Sequence, residues 1–545
     1  MQKTTFGYLN ASQFLVTLND SIFRLLVAYK LIDILGEKRN NEILAISAVL
    51  FVIPFILFSM PAGQLADRIS KQKLIVWTLW GEILFMVLGL ISIMSNNVPL
   101  TYFALFLVGL QAAVFNPAKY AIIPELEPPE RITSVNGFMT FFTYLSIILG
   151  TFLTSFICDI SGNNFTLVAV ICIVFAVISL FTGWKIRKTP IQNPKRAVNP
   201  YFFVDVFRAL KTGLQYPRLV MAILASSYFL FTAGYTQLNL IPFGVQSLGI
   251  TDIETGYVYL AAALGLGIGS LFVSIFSSRG VELGLSIWGA LGTALSYLFL
   301  YIFQTHLVIA CFIFFSIGMH GALYVVPLDA YIQYASPDRD RGTYVASGSF
   351  LSFVAVLIAA LFLYVTGNIF HMRAADGYLI VAYLTFGVFL YLVFAIGEYI
   401  SRLVAVVYAR SFYTIHTLDI PAEKFLVCEK RELYKIFSLV LTFPEITFIE
   451  AVEKKPSRWK KAGAFFFNTV LVEKGNPLNL NKERGSYCLF VERMEEAEEW
   501  IEKVKPLISS EAAVVNIELH EKPEYSFFHV FKMLGKELTI TFVKR

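Results

Sequence analysis

Five ionisable side chains stand inside long apolar stretches of the sequence: Asp20, Arg24, Glu82, Lys119 and Asp329. A charged side chain in such surroundings costs several kcal/mol, so its presence there is a reason to expect a function, such as binding a charged ligand or moving a proton. Asp20 and Arg24 are four residues apart. On a helix this spacing places them on one face, where they can form an ion pair.

Composition indicates what kind of protein holds these charges. The chain has 545 residues, 57% of them hydrophobic and 15% charged, and its mean hydropathy is +0.65. Soluble domains carry about 25% charged residues, which excludes a soluble enzyme as a description of the whole chain. The net charge of +5 is modest and no basic stripe with interleaved aromatic residues occurs, so no nucleic-acid partner is expected. Without metal-ligand spacing or a cofactor motif, we expect neither a metal nor a cofactor.

The charges are unevenly distributed along the chain. Residues 403–545 contain 21 Lys and Arg and 20 Asp and Glu, about half of all the charged side chains. The average composition therefore combines a membrane domain with a charged soluble tail.

Twelve apolar stretches before residue 403 have roughly the length that crosses a bilayer as a helix, about 20 residues. They are 11–34, 43–62, 74–94, 101–118, 133–157, 166–184, 219–242, 256–277, 284–303, 307–328, 343–367 and 378–401. With the N-terminus inside, the inner segments contain 18 Lys and Arg and the outer segments four. Because basic residues collect on the cytoplasmic side, both termini are predicted to be cytoplasmic.

Within this arrangement the buried charges have alternative interpretations. Asp20 and Arg24 either bind a ligand or form an ion pair that holds helix 1 in the bundle. Lys119 and Asp329 are predicted near the cytoplasmic face, as ligands or as gate residues. Glu82 is either a proton-titrating carboxylate or the partner of a basic residue on a neighbouring helix. Two amides in the seventh span complete the candidate binding residues, Gln237 and Asn239.

The long segment 185–218 divides the twelve spans into two groups of six, residues 1–184 and residues 219–402. It holds eight basic residues and one acid, Asp205. One part of it places Phe202, Val206, Ala209 and Leu210 roughly on one helical face. This pattern is typical of an amphipathic helix on a membrane surface, and a simple basic linker is the alternative.

The two halves repeat each other. Pro117 and Pro327, Lys119 and Asp329, and Arg131 and Arg341 are each separated by 210 residues. This organisation, two parallel six-span halves, resembles that of major-facilitator transporters, in which substrate binds between the halves and rocking alternates the access.

The segment GQLADRISKQK at 63–73 resembles the cytoplasmic signature of the same superfamily. In our interpretation Gly63 permits a tight turn. Asp67 pairs with a basic residue on a neighbouring span and so forms a latch that opens in each cycle. The predicted gating residues are Gly63, Asp67, Arg68, Asp329 and Arg341.

Further segments resemble the bacterial lysophospholipid transporter family. They are LNDSIFR (18–24), AGQLADRISKQKLI (62–75), VFNPAKYAIIPELEPPERITSVNGF (114–138), SLGITD (247–252) and YVVPLDAYIQYASPDRDRGTYVAS (324–347). The resemblance implies a transporter of the bacterial inner membrane that moves lysophosphatidylethanolamine-like lipids from the outer to the inner leaflet for re-acylation. It also implies an acyltransferase or acyl-carrier-protein synthetase as a partner.

The head group of such a lipid suits the buried charges. Arg24 or Lys119 could bind its phosphate, and Asp20 or Glu82 its ammonium. Some family members carry an Arg in span 7 where this chain has Gln237. This departure weakens a phosphate assignment in the second half.

Residues 403–545 are predicted to form a small cytoplasmic α/β domain. Strands are predicted at 425–429, 446–451, 464–472, 487–492, 512–519 and 537–543, and helices at 431–441 and 494–508. The tail resembles a shortened acyltransferase in which Lys430 and Lys435 stand near the positions of the catalytic His and Asp. Since a lysine cannot take either role, we expect the tail to be non-catalytic.

Two other functions are compatible with the sequence. One is a proton-coupled exporter of small amphiphiles or drugs, with Glu82 as the titrating group. The other is a bifunctional transporter–acyltransferase, which needs a catalytic base in the tail from among His416, His520 and His529.

Overall fold

The computed structural model describes residues 2–36, 39–196, 202–277, 281–397 and 399–400, together with seven strands between residues 413 and 544. The first half consists of α1 to α7. Their bounds are α1 Gln2–Leu35, α2 Asn40–Arg68, α3 Lys71–Met94, α4 Val98–Ala121, the short α5 Ile123–Leu126, α6 Ile132–Ile160 and α7 Phe165–Trp184. The linker helix α8, Phe202–Gly213, follows. The second half consists of α9 Pro217–Phe243, α10 Asp252–Phe276, α11 Gly284–Ile302, α12 Leu307–Ala335, α13 Arg341–Tyr364 and α14 Ala374–Ile396.

In the part of the chain that the structure describes, eleven helices are long and apolar enough to cross a membrane. The twelfth predicted span lies in α1, a helix of 34 residues whose apolar stretch is interrupted by Asn19, Asp20 and Arg24. Each predicted span falls on one helix, and the largest differences are at α1, which begins nine residues before the predicted start, and at α2 and α12, which end six and seven residues after the predicted ends. Helices satisfy every backbone group internally, which is why apolar stretches of this length adopt them in lipid.

Local sequence signals fix several helix ends. The side chain of Asn97 accepts a hydrogen bond of 3.0 Å from the backbone N–H of Leu100 at the start of α4. Thr251 and Glu254 form a reciprocal capping box at the start of α10. Both arrangements satisfy N–H groups that the first turn of a helix leaves unpaired.

Each half has its own apolar core. In the first half, Phe23, Leu26 and Met86 belong to a buried cluster to which all six long helices of this half contribute. In the second half the core is aromatic: Tyr378 packs edge-on against Phe243 and stacks on Tyr297. Two separately packed halves are the arrangement that rocking as rigid bodies requires.

The linker helix α8 packs on both halves. Val206 and Ala209 are buried against Met60 of α2 and against Ala346 and Phe350 of α13. The predicted amphipathic helix therefore forms, but the apolar face that was assigned to a membrane surface packs against the protein instead. The side chain of Phe202, assigned to the same face, lies outside the described residues.

The described part of the tail is a seven-stranded mixed sheet with the strand order β1-β7-β6-β2-β5-β3-β4. The strands are β1 Tyr413–Thr417, β2 Phe425–Glu429, β3 Thr447–Val452, β4 Thr469–Glu473, β5 Tyr487–Val491, β6 Ala512–Glu521 and β7 Lys536–Lys544. All pairs are parallel except β6 with β7.

Five of these strands agree with predicted ones to within two residues, β4 overlaps only the second half of the predicted strand 464–472, and β1 was not predicted. The two predicted helices lie outside the described residues, as do Lys430, Lys435 and His529. The backbone register places His520 opposite Glu537, and His416 opposite Thr539.

Candidate functional site

A cavity of about 180 Å³ opens among α1, α2, α4 and α6. Three of the predicted site residues line it: Asp20 and Arg24 from α1, and Lys119 from α4. Phe51 and Phe115 supply part of its apolar wall. The cavity thus contains two cations and one anion beside apolar surface, a combination suited to an amphiphile with a charged end.

Asp20 and Arg24 share this cavity without forming the predicted ion pair. The guanidinium of Arg24 lies over the ring of Phe51, with 5.4 Å from Cζ to the ring centroid. Among the described residues, Oδ1 of Asp20 is buried and has no hydrogen-bond partner. The structure therefore does not contain the ion pair between Asp20 and Arg24, because the guanidinium of Arg24 lies against an aromatic ring. Both groups remain available to a ligand.

Lys119 is likewise held by aromatic rings. Its Nζ lies 4.9 Å from the ring centroid of Tyr120 and 5.7 Å from that of Phe115. The residue is only 7% exposed. Within the described part of the chain no carboxylate comes into ion-pair range of it. A desolvated cation held by ring faces can bind a phosphate strongly.

A second cavity of about 250 Å³ contains Asp329, the counterpart of Lys119 in the repeat. Its Oδ1 accepts a hydrogen bond of 2.6 Å from Oγ of Ser226. Asn116 lines both cavities and donates to Oγ of Ser349 at 3.4 Å. The two cavities therefore share one wall residue. The first cavity has a net positive charge and the second contains a carboxylate.

Three predicted binding residues lie elsewhere. Glu82 is buried inside the first half, where its carboxylate accepts hydrogen bonds from Asn19 (2.8 Å) and from Ser179 (3.3 Å). Its observed partners are thus an amide and a hydroxyl, where sequence analysis offered a basic residue. Asn239 is buried and donates to the carbonyl of Ala374 at 2.9 Å, and Gln237 is exposed on α9.

The two halves meet at the C-terminal ends of α2, α10 and α12 and the N-terminal ends of α6 and α13. We call this region the joined end. Here the carboxylate of Asp67 accepts three hydrogen bonds: from the backbone N–H of Gly342 (2.6 Å), from that of Thr343 (2.9 Å) and from the Thr343 hydroxyl (2.7 Å). The prediction that Asp67 pairs with a basic side chain was therefore wrong. The first turn of α13 offers unpaired N–H groups at its positive end, which a carboxylate satisfies directly.

Gly63 has a different role from the predicted turn. It lies inside α2, where a Cβ atom would overlap the carbonyl of Gly342 and the side chain of Ala346. The absence of a side chain thus lets α2 and α13 approach closely. Arg68, the next residue after Asp67, is exposed at the end of α2.

Arg341 fixes the loop between α12 and α13. Its guanidinium donates to the carbonyls of Gln333 (2.9 Å) and Ser336 (3.5 Å) and pairs with Asp338. In the repeat, Arg131 pairs with Glu127 at 2.6 Å. Burial raises the pKa of Glu127, and the charge of Arg131 opposes that shift. Both arginines therefore stabilise equivalent loops of the joined end.

Sequence reasoning missed a buried amide pair between the halves. Asn136 of α6 donates to Oε1 of Gln333 at 2.9 Å, and Gln333 donates back to Oδ1 of Asn136 at 2.8 Å. Gln333 also lines the second cavity. Because neither residue is charged, the presence of an ionisable group in an apolar stretch does not identify them. Asn136 does lie in one of the segments that carried the family resemblance.

Replacing either amide should loosen the joined end. Asn136→Leu or Gln333→Leu leaves a buried partner unsatisfied, at a cost of about 1–3 kcal/mol. The double variant should cost less than the two single variants together, because both partners are then absent. The measurement is the maleimide labelling rate of Ser274→Cys, a position buried where Ser134 of α6 meets α10. Strictly additive effects would contradict a direct coupling.

Residues 9–360 match the sequence profile of the Major Facilitator Superfamily. The lysophospholipid transporter LplT of Photorhabdus laumondii is 26% identical over 305 residues, which cover 52% of this chain and 69% of that protein. LplT of Escherichia fergusonii is 28% identical over 294 residues, covering 52% of this chain and 70% of that protein.

Solved structures agree at the level of the fold. The fucose:proton symporter FucP of E. coli superimposes with a TM-score of 0.58 at 15% identity, over 71% of this chain and 97% of the symporter. A bacterial homologue of the iron transporter ferroportin, in its outward-facing state, gives a TM-score of 0.57 at 15% identity, over 71% and 98% of the two chains. With the profile matching well over half its length, the chain belongs to the Major Facilitator Superfamily.

Proposed function

We propose that this transporter flips lysophospholipid, of the lysophosphatidylethanolamine type, from the outer to the inner leaflet of a bacterial inner membrane, where it can be re-acylated. One observation carries the proposal: the cationic cavity of Arg24 and Lys119 adjoins the carboxylate of Asp329. A zwitterionic head group presents a phosphate and an ammonium close together. It therefore matches two adjoining cavities of opposite charge.

The similarity to LplT proteins supports the same substrate class, because their names state lysophospholipid transport. The cavity of Arg24 and Lys119 is small for an entire lipid, about 180 Å³. We propose that the head group enters it while the acyl chain stays in the surrounding bilayer. Apolar wall residues such as Phe51 and Phe55 then contact the start of the chain.

Direction follows from the distribution of basic residues. From the positive-inside pattern we infer that both termini, the linker and residues 403–545 are cytoplasmic. The joined end is then the cytoplasmic end, so the described state would receive lysolipid from the outer leaflet. For the tail we propose a non-catalytic role, as a domain to which a separate acyltransferase or acyl-carrier-protein synthetase docks.

Head-group selectivity tests this function in proteoliposomes. We expect uptake of lysophosphatidylethanolamine to exceed that of a free fatty acid, which lacks both charged groups of the head. Asp329→Asn should lower uptake of lysophosphatidylethanolamine by about tenfold, the value of one charge-assisted hydrogen bond, and leave lysophosphatidylglycerol nearly unchanged. The matched control is Asp33→Asn, because Asp33 forms a partly exposed pair with Lys30 at 3.3 Å. Equal uptake of lysolipid and fatty acid would refute the proposal.

A further inference from the structure

The linker helix α8 packs on α2 and α13 with one face, and its opposite face is exposed. Val204 and Phe207 are exposed on it, Phe207 to 74%, and Leu214 is exposed directly after the last residue of the helix, where its backbone N–H donates to the carbonyl of Leu210 at 3.0 Å. Spacings of three and seven residues place these side chains on one side of the helical turns. A phenylalanine exposed to this extent beside two other apolar side chains forms a patch that water solvates poorly.

The contacts of the packed face of α8 show that the helix lies beside membrane-spanning helices. Its residues pack on Ile56 and Met60 of α2 and on Phe350 and Val354 of α13. These positions belong to helices long and apolar enough to cross the membrane. The helix α8 is therefore held against the side of two predicted spans. Leu57 of α2 and Leu357 of α13 lie within one turn of these contact residues and are exposed. Exposed apolar surface of this kind on a membrane-spanning helix faces lipid, and the outer face of α8 lies beside it.

Two hydrogen bonds orient the helix and define its charge. Asp205 accepts from Nε2 of Gln64 at 2.8 Å and from Arg208 at 2.8 Å. Arg208 is thereby engaged by an acid, whereas Lys211, one turn further, is exposed and meets no acid among the described residues. The outer face thus combines apolar side chains with a basic one, the composition of an interfacial membrane helix.

We propose that the outer face of α8 binds the membrane surface, with Val204, Phe207 and Leu214 in the acyl boundary and Lys211 on anionic lipid head groups. The partner is an anionic lipid bilayer, and the fit rests on charge complementarity and on continuity with the lipid-facing surface of α2 and α13. Because its inner face contacts both halves, α8 joins lipid at the surface to the joined end.

Photo-crosslinking tests the proposal without reference to transport. The purified full chain carries p-benzoylphenylalanine at Phe207, or at Phe312 as a matched control, since Phe312 is 72% exposed near the opposite end of the spans. Each protein is placed in nanodiscs of phosphatidylcholine with a minor share of phosphatidylglycerol, and adducts are identified by mass spectrometry.

We expect lipid adducts at both positions. Phosphatidylglycerol should be enriched over its share in the disc only at Phe207, by about fivefold, the attraction of one basic side chain near the surface. Lys211→Gln should remove most of this enrichment, and Lys211→Arg should retain it. Adducts to protein, whether to a second copy or to the tail of the same chain, would overturn the proposal. Lipid adducts without enrichment would overturn the anionic part of it.

Discussion

Exchanging Lys119 for Gln should lower the initial rate of lysophosphatidylethanolamine uptake by about 100-fold. The cation is almost fully buried in the first cavity, and its neighbours are the rings of Phe115 and Tyr120. A phosphate bound there would gain about 1.5–3 kcal/mol from a charge-assisted hydrogen bond. Each 1.4 kcal/mol corresponds to about tenfold. Proteoliposome uptake at substrate concentrations well below saturation measures the loss.

A second lysine provides the matched control for this experiment. Nζ of Lys73 also lies over an aromatic ring, 4.8 Å from the centroid of Trp77, but Lys73 is exposed and outside both cavities. Lys73→Gln should change uptake by less than about twofold, as is usual for a surface substitution. Lys119→Arg should keep most of the activity because it keeps the charge. If Lys119→Gln takes up lysolipid at the parental rate, the phosphate does not bind in this cavity.

The second large effect is expected at Asp67. Asp67→Ala removes the acceptor of three hydrogen bonds and leaves the N–H groups of Gly342 and Thr343 unpaired at a buried helix end. Truncating one partner of a buried, charged hydrogen-bonded pair costs about 2–5 kcal/mol. An intermediate value of about 3 kcal/mol would raise the population with an open joined end by about 100-fold.

Labelling of a buried cysteine reports this opening. Ser347 is fully buried and contacts Met60 across the boundary between α13 and α2. The maleimide reaction of Ser347→Cys, followed by peptide mass spectrometry, should accelerate by about 100-fold in the Asp67→Ala background. Arg68→Gln is the neighbouring control and should leave the rate within about twofold, because Arg68 is exposed. Unchanged labelling in Asp67→Ala would show that other contacts keep the halves together.

Periodicity and composition predicted most of the fold. The spans follow from apolar length, because a bilayer forces the backbone of such a stretch into a helix. The repeat of Lys119 and Asp329 predicted that the two halves are equivalent, and each of these residues now lines one cavity. The position of α8 on the surface of α2 and α13 was not predictable, because an amphipathic pattern states that a face is buried and leaves its partner undefined.

Partners were harder to predict than positions. Asp67 was expected to bind a basic side chain, yet backbone N–H groups are present in every sequence and give no signal of their own. Likewise Arg24 and Asp20 have the spacing of an ion pair, and the ring of Phe51, distant in sequence, takes the guanidinium. The pair Asn136–Gln333 consists of uncharged residues from different halves. In each case the deciding atom comes from another helix.

Asn116 has a consequence for how many lipids one chain can hold. This side chain belongs to the wall of both cavities. If, as proposed, one zwitterionic head group places its phosphate in the first cavity and its ammonium in the second, a single lipid occupies both. We then expect one lipid bound per chain and a hyperbolic saturation curve without cooperativity.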